Sequence, residues 1–206
     1  TGPYEHILTG LTTDGFHQTK TIAFGPDGWL YLAQGSSCNV CIEKDPRRAT
    51  MMRMRADGTG AEIFATGLRN SVGFDWAPWN GTLYATDNGR DLLGDDFPPD
   101  ELNRIEQGRF YGWPYFNGFG VPDPDFGGQF PGDPPPVDPA HGFRPHNAPL
   151  GIHFLRNATP HGYERAALVA LHGSWNRRTP DGYKVVALRW RDDGTLEESD
   201  FLTGFL

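Results

Sequence analysis

Cysteine is nearly absent: the 206-residue chain has two, Cys38 and Cys41, both in GSSCNVC. A zinc site needs a second ligand pair, and haem attachment needs a histidine after the second cysteine, where Ile42 stands. A local disulfide, two free thiols and redox chemistry stay open, although the strand-like LYLAQ before the pair is unlike the helix start that a redox motif uses. Basic residues are also scarce, with 18 Lys and Arg against 26 Asp and Glu and a net charge of −8. They form no cluster, which argues against a nucleic-acid partner. No apolar run approaches the roughly 18 residues needed to span a bilayer. Nothing at the N-terminus reads as a signal peptide; TGPYEHILTG reads as a strand, and a mature secreted chain would have lost its signal in any case.

Glycine (27), proline (18) and aromatics (13%) are plentiful. With no long 3.6-residue periodicity, they predict an all-β chain rich in turns. The chain also repeats itself. TIAFGPDGWLYLAQGS (21–36), VGFDWAPWNGTLYATDNG (72–89) and LGIHFLRNATPHGYERAALVALHGS (150–174) each read strand, turn, strand. A third strand follows each: MMRMRADG, LNRIEQG and YKVVALRWRDDG. A fourth ends in Thr-Gly in EIFATGL (62–68) and FLTGF (201–205), and HILTGL (6–11) supplies a copy before the first unit. Four short antiparallel strands joined by Asp-Gly or Asn-Gly turns describe a β-propeller blade. The expectation is one propeller domain over 1–206 with about three blades. Residues 121–149, too rich in Pro and Gly for strand or helix, are expected to form an ordered loop insertion held by Phe126, Phe130 and Phe143. Three blades leave faces uncovered at both ends, so another chain or further blades would have to close the ring.

Loops at the blade ends are where a propeller carries its chemistry. His17 precedes an inner strand, Arg69 and Asn70 stand at the equivalent point one unit later, and His172, Ser174, Trp175, Asn176 and Arg177 follow a strand in the third. The stretch DNGRDLLGDDFPPDEL (87–102) holds six acids. Like charges so dense repel one another, and a bound cation would hold them in an ordered loop. Acids not engaged with a cation are expected to cap turns and face solvent.

GLRNSVGF, TDNGRD, PPDELNRI, YGWPY, HNAPLGIHF and HGSWNRRTPDGYKVV together resemble the soluble quinoprotein sugar dehydrogenases of the glucose/sorbosone type. These are six-bladed propellers that use pyrroloquinoline quinone (PQQ) and calcium. The likeness runs across nearly all of this chain but only part of the family's length. It implies a dehydrogenase acting on a sugar or sugar aldehyde, with an external electron acceptor and a periplasmic or extracellular location. It implies His17 as general base, ordinary in pKa near 6.5, and Arg69 and Asn70 holding the quinone. The backbone carbonyls of Gly89 and Arg90 would bind the catalytic calcium. Glu101 and the Tyr111 carbonyl would bind a structural one. His172 and Arg177 would be further basic contacts to the cofactor. Two alternatives stand beside this: a propeller that binds or scaffolds without catalysis, and a calcium-dependent lactonase or hydrolase.

Overall fold

The computed structural model describes residues 4–157 and 161–206. Its strands form three four-stranded antiparallel sheets and one small hairpin. The first sheet runs β1 (Lys20–Phe24), β2 (Leu30–Gln34), β3 (Thr50–Met54) and β4 (Glu62–Thr66) in sequence order. Its first turn is set by Asp27, whose carboxylate accepts from the Trp29 amide at 3.1 Å and the Tyr31 hydroxyl at 2.8 Å. Gly28 supplies the positive φ of 80° that the Pro-Asp-Gly turn requires.

The second sheet contains β5 (Phe74–Trp76), β6 (Leu83–Asp87), β7 (Asp100–Ile105) and β10 (His141–Phe143), and the third β11 (Pro149–Phe154), β12 (Ala166–Leu171), β13 (Lys184–Trp190) and β14 (Leu196–Leu202). Strand β6 is buried throughout because alternate residues serve two cores. Leu83 and Ala85 pack with Tyr31, Met51 and Phe64 of the first sheet. Tyr84 turns the other way, joining Phe154, Val169 and Val186 of the third. Each large apolar side chain buried this way contributes roughly 1.5–3 kcal/mol. The sheets therefore lie face to face, and the loops at their ends are held in fixed relation.

Three expectations are corrected. HILTGL is not a strand: Leu8 and Leu11 pack against Leu30, Leu32, Met52 and Met54, so the segment covers the sheet's outer face instead of pairing with an edge. Residues 121–149 are not strand-free. They include β9 (Val121–Pro122), which pairs with β8 (Phe116–Asn117), and β10, which pairs with β7 and completes the second sheet. The Pro-rich composition hides a three-residue strand, His-Gly-Phe, too short for alternation to register. Phe130 stacks on Phe110 with ring centroids 5.8 Å apart, and Asp123 anchors the segment to Arg90. FLTGF contributes only its first residues to β14, which begins at Leu196. The longer turn expected in the third repeat includes residues 158–160, which lie outside the described residues.

Candidate active site

A cleft of about 240 Å³ opens where loops from all three sheets converge. His17 enters it from the segment before β1, Arg69 and Asn70 from the turn before β5, Gly89 from the loop after β6, and Trp175 and Asn176 from the loop after β12. Two details permit this crowding. Gly35 lies so close that a Cβ there would meet both the Asn70 Oδ1 and the His17 Cβ at 2.6 Å. His17 itself adopts a left-handed φ of 48°, uncommon outside glycine.

Arg69 is almost wholly buried, and its guanidinium is fixed by partners on two loops. Nε donates to the Asn39 carbonyl at 2.9 Å and Nη1 to the Asn88 carbonyl at 3.1 Å. Nη2 donates to the Asn39 Oδ1 at 2.8 Å and to Asp91 at 3.0 Å. Asn39 lies between Cys38 and Cys41, which form a disulfide, so a closed loop carries one wall of the site. Asp91 is further held by Asn176, whose Nδ2 is 2.8 Å from Oδ1. Asn88 and Asn176 both line the cleft, and their side-chain oxygens are buried without partners.

The His17 side chain departs from the ordinary imidazole expected of it. Desolvation, followed by the positive charge of Arg69, lowers its pKa to about 4. The residue is a neutral, unprotonated base throughout the physiological range, and a weaker one than in water.

Behind the cleft lies a smaller cavity of about 20 Å³, lined by Asp87, Gly89, Arg90, Glu101 and Tyr111 among others. Asp87 and Asp100 are buried rather than facing solvent, which corrects the expectation for the acids outside the cation sites. Burial pushes Asp87 up to about 7, Asp100 to about 6 and Glu101 to about 8, with the charge of Asp87 adding to the effect on Glu101. Their hydrogen bonds come from backbone N–H groups and Asn103 rather than from basic side chains. Asp87 accepts from the Arg69 and Asn70 amides. Asp100 accepts from Gly89 and Ala148 at 2.8 and 2.9 Å. Glu101 accepts from Gly118 at 3.1 Å and from Asn103 at 2.9 Å. Of these acids, Asp87 and Glu101 line the small cavity while Asp100 lines the cleft, and under-neutralised carboxylates beside an enclosed space suit a hard cation with oxygen ligands.

The predicted residues divide. His17, Arg69, Asn70 and Gly89 meet in the cleft, while Glu101, Tyr111 and Arg90 line the small cavity. A Cβ on Gly89 would meet the Pro99 carbonyl oxygen at 2.7 Å, so only the bare backbone fits between the two spaces. The Arg90 side chain is taken up by Asp123 and Asp125. His172 and Arg177 are not in the cleft. His172 is exposed and borders an apolar groove with Leu171 and Val185. Arg177 turns into the acidic loop, bonding the Asp95 carbonyl and Asp96. The loop after β12 turns at Gly173, with a φ of 103°, and sends Trp175 and Asn176 forward in their place. Asn39 and Asp91 were missed: their contacts in the site reach 22 to 52 residues away in sequence, which no local pattern signals.

An all-β chain of stacked antiparallel sheets with this cleft has clear relatives. Residues 5–174 match the glucose/sorbosone dehydrogenase family, and the chain belongs to it. It is 40% identical over 161 residues to an uncharacterized protein of Borreliella burgdorferi, covering 77% of this chain and 42% of the relative. Its fold resembles a calcium structure of a carbohydrate-active enzyme from Trichoderma reesei (TM-score 0.70, 24% identity, 93% of this chain and 57% of that one). It also resembles the PQQ-bound aldose sugar dehydrogenase of Streptomyces coelicolor (TM-score 0.62, 26% identity, 89% and 48%). The chain spans about half the length of these relatives.

Proposed function

We propose that this chain is part of a periplasmic or extracellular quinoprotein that oxidises a sugar or sugar aldehyde with PQQ and calcium. Its three sheets are read as three blades of a six-bladed propeller within one domain, with the segment 121–149 laid over it. The observation that carries the reading is the convergence of His17, Arg69, Asn70 and Gly89 in one cleft that abuts the buried acids. PQQ would supply an electrophilic quinone carbonyl that accepts a hydride. Arg69 and the Asn70 side chain would hold its oxygens. Arg69 is an anchored point of positive charge, desolvated and pre-oriented, so it stabilises developing negative charge without reorganising. The Gly89 and Arg90 carbonyls would hold a calcium ion against the cleft. Glu101 and the Tyr111 carbonyl would hold a second in the small cavity, whose acids suit that charge.

His17 accepts the proton of the sugar hydroxyl as hydride departs. Its lowered pKa rises again when an anion occupies the cleft, because negative charge favours the imidazolium. Trp175, 77% exposed at the cleft wall, offers a flat apolar face to a sugar ring. Turnover would then need an external electron acceptor. A binding module without catalysis is the second reading, favoured by the absence of His172 and Arg177 from the cleft. The decisive experiment is His17→Asn, since Asn tolerates the left-handed backbone. Loss of the base lowers sugar oxidation by roughly 10²–10⁴-fold while quinone binding is retained. Undiminished turnover removes His17 from the mechanism.

A further inference from the structure

The contacts behind His17 are more specific than its position. Nδ1 lies 3.1 Å from the Ser36 carbonyl oxygen and 2.9 Å from the Ser36 hydroxyl. A carbonyl only accepts, so the first contact requires a proton on Nδ1. The hydroxyl could in principle donate, but Ser36 Oγ is also 2.6 Å from the Cys38 carbonyl. Its single proton goes there, leaving lone pairs toward the imidazole. Both contacts therefore make the same demand. A neutral imidazole carries one proton, and with that proton on Nδ1 the Nε2 lone pair is free.

We propose that Ser36 is a positioning residue that holds His17 as the Nδ1–H tautomer, so that Nε2 is the basic atom offered to the cleft. The use made of that lone pair rests on the dehydrogenase reading; the tautomer does not. Ser36 is fully buried and fastened from several sides. Its amide donates to the Arg69 carbonyl at 2.7 Å, and its own carbonyl also accepts from Arg48 Nη2 at 2.9 Å. The same Arg48 nitrogen donates to the Phe16 carbonyl at 2.6 Å, which pins the residue before His17 onto Ser36. The Cys38 carbonyl that takes the Ser36 proton belongs to the disulfide-closed loop, and the next residue in that loop, Asn39, holds Arg69. One covalently closed turn thus orients both the base and the guanidinium. The opposite tautomer would set the Nδ1 lone pair against two oxygens with no proton to share, and buried polar contacts of that kind are costly.

The test needs neither quinone nor sugar. Histidine-selective ¹⁵N labelling with long-range ¹H–¹⁵N correlation spectra at pH 7 reads the protonation of each ring nitrogen, and the His17 signals are those lost in His17→Asn. In the wild-type chain His17 shows a protonated Nδ1 and a bare Nε2. Ser36→Ala keeps the backbone acceptor but loses the hydroxyl, and the Nδ1–H to Nε2–H ratio falls roughly fivefold, as expected for one ordinary hydrogen bond. Ser36→Thr, which retains the hydroxyl, restores it. Unshifted signals from the other histidines verify that each variant is folded. A wild-type Nε2–H form overturns the proposal, as does a ratio unchanged in Ser36→Ala; the wild-type spectrum decides the tautomer even if the variant fails to fold. The Nδ1–H tautomer without sugar oxidation refutes the dehydrogenase reading alone. Turnover with Nε2–H refutes the role of Ser36 alone.

Discussion

If the buried acids serve a calcium ion as proposed, its effect on stability should depend strongly on pH. Asp87, Asp100 and Glu101 all have folded pKa values raised above the ordinary carboxylate range, to about 7, 6 and 8. Groups raised in this way contribute stability that is complete below about pH 4 and is lost as pH climbs through 6 to 8, because the folded state binds more protons than the unfolded one. A cation in the small cavity, which Asp87 and Glu101 line, would reverse their part of the loss by binding the ionised form. At free calcium a hundredfold above its dissociation constant, the gain is about 2.7 kcal/mol, which for a chain of this size is about 5–10 °C in Tm. At pH 5 the acids are largely protonated and the same calcium should raise Tm by less than about 2 °C. Glu101→Gln separates the terms. The amide oxygen still accepts from Gly118, and its NH₂ can serve Asn103, whose buried Oδ1 has no partner. In chelator at pH 8 the variant should therefore melt higher than wild type, and it should lose most of the calcium response. Thermal melts of both proteins at pH 5 and pH 8, with calcium or chelator, provide the comparison. An equal calcium shift at both pH values, or in Glu101→Gln, refutes the reasoning.

Arg69→Lys should fail to replace the arginine, because an ammonium cannot reproduce a planar fork bonded to Asn39, Asn88 and Asp91. Quinone affinity, read by absorbance titration, should fall at least tenfold, and an unchanged affinity would remove Arg69 from the cofactor site. The edge strands β1 and β14 expose Ile22 (60%), Phe24 (59%) and Phe201 (49%), apolar surface that invites pairing with another chain or further blades. Sedimentation velocity of this chain at several concentrations should show self-association, whereas a strictly monomeric, well-folded species with no partner would argue against an incomplete ring.

Much of the sheet framework was legible because it rests on local rules. The Pro-Asp-Gly turn at 26–28 and the Asn-Gly turn at 80–81 stand between runs that became β1 and β2, and β5 and β6. His17, Arg69 and Asn70 could be placed because they recur at equivalent points before inner strands. The strand β10 could not, since three residues carry no periodicity and its partner β7 lies about forty residues upstream. His172 and Arg177 lie outside the cleft because the direction of a side chain beyond a strand end depends on the turn, here Gly173, rather than on its distance from the strand. The burial of Asp87 and Asp100 was equally invisible, because an acidic run in sequence looks the same whether it faces water or is enclosed. The Ser36 contact depends on two carbonyls and a hydroxyl in a closed loop, geometry that GSSCNVC does not announce.

The central claim is that this cleft holds a quinone through Arg69 and a calcium ion. The most direct measurement is an equilibrium titration of the chain with PQQ, followed by the quinone's absorbance, with calcium and with chelator, for wild type and Arg69→Ala. The account predicts saturable, calcium-dependent binding to wild type that Arg69→Ala weakens at least tenfold. Absence of saturable binding by folded wild type in calcium, or equal binding by Arg69→Ala, would contradict it.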